Sequence, residues 1–347
     1  MVKNQSLQYF IDKLKPHLEY PDLMEACFTE EGVAKLEVAG KEGWIIQKDP
    51  NLSYQFWSGF NTIMANSKMG RYDEFERPIV SGELPGGWRW QGFVSKYYVA
   101  DGFDITIRKP GQCYSLMDFG VDGPLKDKII QKIKRGARVL ISGGTSSGKS
   151  SLTNWLLSKY CKHLRVQSVE DAHELVIPHK HQSRYFIDRN AKGEAPVGYK
   201  EIVEHMSRSR PDLIIVGEVS VENTVTVMRL FNEGKPAIAT VHANSPDRAI
   251  GRGGALETNL LIGGYGQGSA QSIIEKFYED IDVLIQVNSV GKTRRKKVTH
   301  VVFPNEGKTY TLNLDEEISN ERALDEFDQL IAKDKSWTFA QTNVNQV

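Results

Sequence analysis

Residues Val139 to Ser151 read VLISGGTSSGKSS, an apolar run, a glycine-bounded turn, a lysine and then hydroxyls, and that order decides how the rest of the chain is read. Val139, Leu140 and Ile141 have the character of a buried parallel strand. Gly143, Gly144, Thr145, Ser146, Ser147 and Gly148 form a turn whose backbone N–H groups can face inward around an anion. Glycine at 143 and 148 allows backbone angles and close approach that a Cβ would obstruct. Lys149 can reach phosphate oxygens as a point charge, the Ser150 hydroxyl can hold magnesium, and Ser151 completes the pattern. From Lys149 onward, KSSLTNWLLSKY puts Leu152, Leu156 and Leu157 on one helical face. Bound phosphates would then sit at a helix N-terminus, where the macrodipole favours anions. The ligands implied are a nucleoside triphosphate and Mg2+.

The surrounding composition narrows the class. At 347 residues the chain is long for one core, and at about 100 to 200 residues per domain two domains are expected. Hydrophobic residues at 40%, charged residues at 25% and a formal net charge of +0 describe an ordinary globular protein with no global attraction to nucleic acid. Cys27, Cys113 and Cys161 are odd in number and far apart, which argues against a disulfide framework or a structural zinc site and suits a reducing cytoplasm. The N-terminus carries charges throughout, and no run of about 18 apolar residues suggests a membrane span.

Along the chain, Leu7, Phe10, Ile11 and Leu14 repeat at helical spacing, whereas 35–38, 43–47, 88–94 and 103–107 read as strands, with a turn-rich run at Ser81, Gly82, Pro85, Gly86 and Gly87. Arg108-Lys109-Pro110-Gly111 ends that pattern. The expected organisation is an N-terminal α+β domain over 1–110, a linker over 111–124, a phosphate-loop α/β domain over 125–314 and a tail over 315–347. Within the second domain strands at 165–169, 213–216 and 237–241 alternate with helices at 201–207 and 223–232, the pattern of a parallel sheet. A glycine-rich stretch follows at 251–268, and two further strands, 283–287 and 298–303, bracket the basic turn 291–297. That turn reads as a solvated hairpin tip, with a site for anionic lipid or nucleic acid as the rival.

Three other places carry chemistry. Glu218 follows the strand Leu213 to Val216, at the edge where open α/β sheets bind ligands, and suits the orientation of water; its strand is expected beside the phosphate-loop strand. Glu170, with Asp171 and Glu174, follows another strand and suits magnesium held through a water, or else the capping of a turn. His242 ends the strand 237–241 and can sense the γ phosphate, although a lone histidine is more often structural.

Assembled, these stretches resemble the secretion ATPase superfamily, the motors of type IV secretion, type II secretion and type IV pili. GGTSSGKSS resembles its phosphate loop, VEDAHEL (169–175) its aspartate box, SRPDLIIVGE (209–218) its second nucleotide box and ATVHANS (239–245) its histidine box. LPGGWRWQGF followed by FDITIRKP resembles the type IV secretion segment that carries two nucleotide-contacting arginines, which would be Arg89 and Arg108. The resemblance spans about residues 60 to 290 and implies a RecA-like C-terminal domain under a smaller α+β N-terminal domain, with nucleotide held between them. Glu218, Glu170, Lys149, His242, Arg89 and Arg108 would be its catalytic residues.

It implies further a homo-hexamer, cytoplasmic and peripherally attached to the inner membrane, partnered by secretion-complex proteins and not by nucleic acid. Val219-Ser220-Val221 stand where pilus and type II motors carry an arginine finger, leaving Arg208 or Arg210 as substitutes. The four-cysteine module of the type II branch and the Ala-Ile-Arg segment of the retraction branch are both missing, which favours type IV secretion. A pilus or type II motor, and a nucleotide-dependent scaffold with little turnover, are the alternatives.

Overall fold

The computed structural model describes residues 5–68, 72–109, 114–171, 174–177, 180–187, 197–291 and 295–312, which fall into two compact units meeting in sequence near residue 110. The expected tail, the start of the expected linker at 111–113, and 292–294 of the basic turn lie outside the described residues.

The first unit runs α1 (Gln5–Leu18), β1 (Leu23–Glu30), β2 (Val33–Val38), β3 (Trp44–Lys48), α2 (Tyr54–Lys68), β4 (Ile79–Leu84), β5 (Trp88–Val94) and β6 (Phe103–Arg108). Its strands form one antiparallel sheet in the order β3-β2-β1-β6-β5-β4. Alternation sorts the side chains: Phe103, Ile105 and Ile107 are buried, while Asp104, Thr106 and Arg108 face the other way. The buried face meets Trp57 and Phe60 of α2 in an aromatic core completed by Phe28 and Trp90. Ser81 and Gly82, read from sequence as turn, belong to β4. Gly82 pairs with Trp90, and the bulky indole occupies the space beside the missing side chain.

The second unit runs α3 (Gly123–Lys134), β7 (Arg138–Gly143), α4 (Lys149–Tyr160), β8 (Val166–Glu170), β9 (Gln182–Phe186), α5 (Tyr199–Arg208), β10 (Leu213–Val216), α6 (Thr224–Asn232), β11 (Ala237–Val241), α7 (Pro246–Ile250), α8 (Ala255–Ile262), α9 (Gln267–Asp280), β12 (Val283–Val290), β13 (Arg295–Phe303) and β14 (Lys308–Thr311). Its sheet has the order β14-β13-β12-β7-β11-β10-β8-β9, parallel from β12 through β9 and antiparallel at β13 and β14. The central strands are apolar on both faces because both are covered. Val139, Ile141, Ile215, Ile238 and Ile285 join α3 and α4 in one core, while Leu140, Ile214, Val216, Ala239 and Leu284 join α5, α6, α8 and α9 in the other.

Four expectations change here. Glu218's strand, β10, does not neighbour the phosphate-loop strand: β11 lies between β10 and β7. Helix α4 is buried all round from Ser151 to Leu157 rather than on one face, its interior polar groups being bonded, as where Thr153 Oγ1 donates to Lys149 O at 3.0 Å. The stretch 251–268 holds α8 and the start of α9, its glycines serving as caps and turns; Gly263, for example, ends α8. Residues 295–297 of the basic turn are paired into β13.

Candidate nucleotide site

Strand β7 delivers the chain into the turn 144–148, and α4 leaves it at Lys149. Two positions in the turn have left-handed backbone, Ser146 at φ 57° and Gly148 at φ 103°. Gly148 is required twice, since a Cβ there would also lie 2.9 Å from the buried Phe119 ring. A Cβ at Gly143 would meet Ser147 Oγ at 2.3 Å and Val287 O at 2.4 Å, so β12 presses the loop's entry closed on that side.

Lys149 is buried, and its ammonium donates to Gly143 O at 2.8 Å and Gly144 O at 2.9 Å. Burial pushes its pKa down to about 8, against the pull of Glu218 and Glu174, which favour the charged form. Lys149 Nζ also lies 3.2 Å from His242 Nδ1, and His242 Nε2 lies 3.4 Å from Glu218 Oε2. With lysine donating to Nδ1, the neutral ring carries its proton on Nε2, toward the carboxylate. The histidine thereby spans the gap that β11 opens between β7 and β10.

Glu218 is held through its backbone. The buried Asn223 donates Nδ2–H to Glu218 O at 2.8 Å and accepts from Ser220 N at 2.9 Å, while Thr240 Oγ1 donates to Gly217 O at 2.5 Å. Gly217 allows close passage beside β8, where a Cβ would lie 3.1 Å from Glu170 Cγ.

On the other flank the Ser150 hydroxyl donates to the Glu174 carboxylate. Glu170, expected to support the metal, ends β8 with its carboxylate buried, and Oε1 accepts from the backbone N–H of Glu174 at 3.0 Å and Leu175 at 2.8 Å. Its Oε2 pairs with Arg184 at 3.4 Å, and burial raises its pKa against these bonds. The structure therefore brings Glu174, and not Glu170, to Ser150, because one Glu170 oxygen is turned onto backbone amides and the other onto Arg184. The hard oxygen donors of Ser150 and Glu174 suit magnesium. Among the described residues no group of three or more His, Cys, Asp or Glu side chains could hold a metal ion.

Arg89 and Arg108 lie directly opposite each other on β5 and β6, on the face of the first unit's sheet turned from its core. Glu25 accepts from Arg108 Nε and sits beside it in register on β1. Arg208 and Arg210 lie at the amino end of β10, opposite the Glu218 end, and line a cavity with Arg229 and Lys235. Neither reaches Lys149 within the same unit. Sequence reasoning missed Asn154, Arg184 and Asn223; a polar residue inside an apolar helix was the only available signal, at Asn154.

A buried lysine in a strand–loop–helix turn, flanked by a serine hydroxyl and carboxylates at the carboxyl edge of a parallel sheet, defines a phosphate-loop nucleotide-binding unit. A type II/IV secretion system protein family model matches residues 100–260. The chain is 27% identical to the type IV secretion system protein VirB11 of Bartonella quintana, over 87% of this chain and 95% of that one, and 28% identical to the conjugal transfer protein TrbB of Rhizobium radiobacter, over 65% and 68%. Among solved structures it is similar to the Legionella pneumophila ATPase DotB (TM-score 0.61, 20% identity, 86% and 81% covered) and to the pilus retraction motor PilT with bound ADP (0.58, 17%, 86% and 83%), likenesses that establish the two-domain RecA-like fold. The resemblance to the secretion ATPase superfamily, on its type IV secretion side, is shown by these matches. Among the described residues no helix is long and apolar enough to cross a membrane.

Proposed function

We propose that the chain is an ATP-hydrolysing motor of a type IV secretion or conjugation system, working as a homo-hexamer at the cytoplasmic face of the inner membrane with other secretion-complex proteins. The observation that carries this reading is the line Lys149–His242–Glu218, which sets a buried cation, a ring and a carboxylate within hydrogen-bonding reach along one sheet edge. Lys149 exchanges the carbonyls of Gly143 and Gly144 for phosphate oxygens, the loop's amides surround the anion, and the start of α4 adds its dipole. Magnesium, when bound, supplies charge that neutralises the β and γ oxygens. Glu218 orients the attacking water, His242 reports on the γ phosphate to Lys149 and Glu218 together, and Arg89 and Arg108 add positive charge. Catalysis is then positional and electrostatic, with no covalent intermediate on the protein.

The test is steady-state ATP hydrolysis against protein concentration for wild type and Glu218→Gln, with light scattering reporting mass. Turnover that rises with assembly and falls at least about 100-fold in the variant, nucleotide binding being retained, is expected. Assembly and binding without turnover by wild type would replace the motor with a nucleotide-dependent scaffold.

A further inference from the structure

We propose that Lys296, on the hairpin of β12 and β13, is a second phosphate-binding cation of the nucleotide site, holding the part of the phosphate chain that ATP and ADP share. This assignment rests on the nucleotide-motor reading. It extends the site to a residue outside the 100–260 stretch that the family model matches.

The hairpin meets the phosphate loop at both of its outer glycines. At the loop's entry, Val287 O on β12 fills the space that a Cβ at Gly143 would need. At its exit, Lys296 Cδ stands 3.1 Å from where a Cβ at Gly148 would lie, beside the Phe119 ring. The strand holds the lysine in that place: Lys296 is paired with Ser289 of β12, and two residues on Val298 N–H donates to Phe119 O at 2.9 Å. Side chains two apart share one face of a strand, so Lys296 lies on the side where Val298 is buried in one core with Phe119 and α4. The basic turn, read from sequence as a solvated tip, thus lays one half-buried lysine against the loop.

Charge indicates what the lysine is there for. Gly148 is the N-cap of α4, and the unbonded N–H groups of a helix's first turn carry positive partial charge. Lys149 stands at the same helix end, where burial brings its pKa down to about 8. A further lysine laid across that end adds like charge to like, the reverse of the arrangement that stabilises a helix. An anion inverts the balance, because the helix end, Lys149 and Lys296 then all attract the same negative charge. The Lys296 ammonium is two bonds beyond Cδ, so a phosphate seated on the amides at the start of α4 comes within its reach.

The two lysines serve different ends of the phosphate chain. Lys149 is bonded to Gly143 O and Gly144 O and lies beside His242, on the side toward Glu218. Lys296 is at the loop's other end, at Gly148. Its contact therefore outlasts hydrolysis, since the phosphates it holds are those that remain in ADP.

The experiment titrates ATP and ADP by calorimetry, at about neutral pH with Mg2+, into the full chain as wild type, Lys296→Met and Lys296→Arg. Methionine keeps a stem against Gly148 and removes the charge. ATP and ADP are expected to bind Lys296→Met about tenfold more weakly and to the same extent, the loss shrinking as salt is raised, with arginine restoring most of it. Urea unfolding without nucleotide gives the readout that a packing role would move the other way: the midpoint of Lys296→Met should equal or exceed that of wild type, because like charge has left the helix end.

Unchanged affinities in Lys296→Met, a loss confined to ATP, or a lowered urea midpoint accompanying the loss would each overturn the assignment and leave the motor reading standing. A wild type that binds neither nucleotide would overturn the motor reading and the assignment with it.

Discussion

Raising the pH of nucleotide-free protein from about 8 to 9.5 should stabilise the phosphate-loop unit, and replacing Lys149 by methionine should remove that gain. The ammonium is buried, and burial brings its pKa from 10.5 to about 8. Below pH 8 the folded and unfolded chains both carry the proton, and the fold bears the full cost of the buried charge, about 3 kcal/mol at 1.36 kcal/mol per pH unit. Between pH 8 and 10.5 the folded protein releases a proton that the unfolded chain still binds, so stability rises with pH. Relative to Lys149→Met, wild type should gain about 1.4 kcal/mol by pH 9 and about 2 kcal/mol by pH 9.5. Urea unfolding of both proteins at about pH 7, 8.5 and 9.5 measures the difference, and the tyrosines and cysteines that also titrate cancel between them. A nucleotide should flatten the wild-type rise, since phosphate charge returns the lysine to its ionised form. Parallel pH curves for wild type and Lys149→Met would show that burial does not set this lysine's proton affinity.

Gly148→Ala should cost about 2–3 kcal/mol in thermal unfolding and suppress nucleotide binding, because φ is 103° there and the added carbon meets the Phe119 ring. Asp282→Ala should cost about 2 kcal/mol at neutral pH, since Arg138 loses bonds of 2.8, 2.9 and 3.1 Å to that carboxylate. Its pKa is held below the ordinary carboxylate value by those same bonds, so the contribution is full above that value and fades as acid protonates Asp282 through its lowered folded pKa; urea midpoints at neutral and acid pH check both. Asn223→Ala should lower kcat about tenfold with little change in nucleotide affinity, its side chain being what fixes the backbone at Glu218.

The parallel core was readable because its strands are apolar on both faces and end in recognisable turns: 139–143, 213–216 and 237–241 needed only periodicity and glycine. Strand order was not, because nothing local distinguishes β10 beside β7 from β10 one strand removed. In the first unit β1 breaks the two-residue period at its start, where its pairing with β2 shifts register between Leu23 and Glu25, and β4 carries a Ser-Gly pair that imitates a turn. At the candidate site, Lys149, Ser150, Glu218 and His242 were legible as candidates from loop and strand ends, and the structure sets Lys149, His242 and Glu218 in one line with Ser150 next to the lysine. Which of Glu170 and Glu174 reaches Ser150 was not legible, because strand position says where a carboxylate begins and not which way it turns. That direction depends on Asn154, which bonds Glu174 O and Val176 N–H, and on Arg184, which bonds Leu175 O, both remote in sequence from the acidic pair.

Beyond residue 260, where the family match ends, lies the polar seam of β12. Gln286 donates to Ala243 O at 3.0 Å, and Asn288 donates to Asn244 O at 3.1 Å and to Thr299 Oγ1 on β13 at 3.0 Å. These bonds seat the two residues that follow His242, so the histidine's place is underwritten by a hairpin more than 40 positions downstream. The shortest stretch able to hold the site intact is therefore longer than the segment that the family model matches, and it must run at least through Phe303. A chain cut at 260 would keep every motif and lose the geometry that makes them one site.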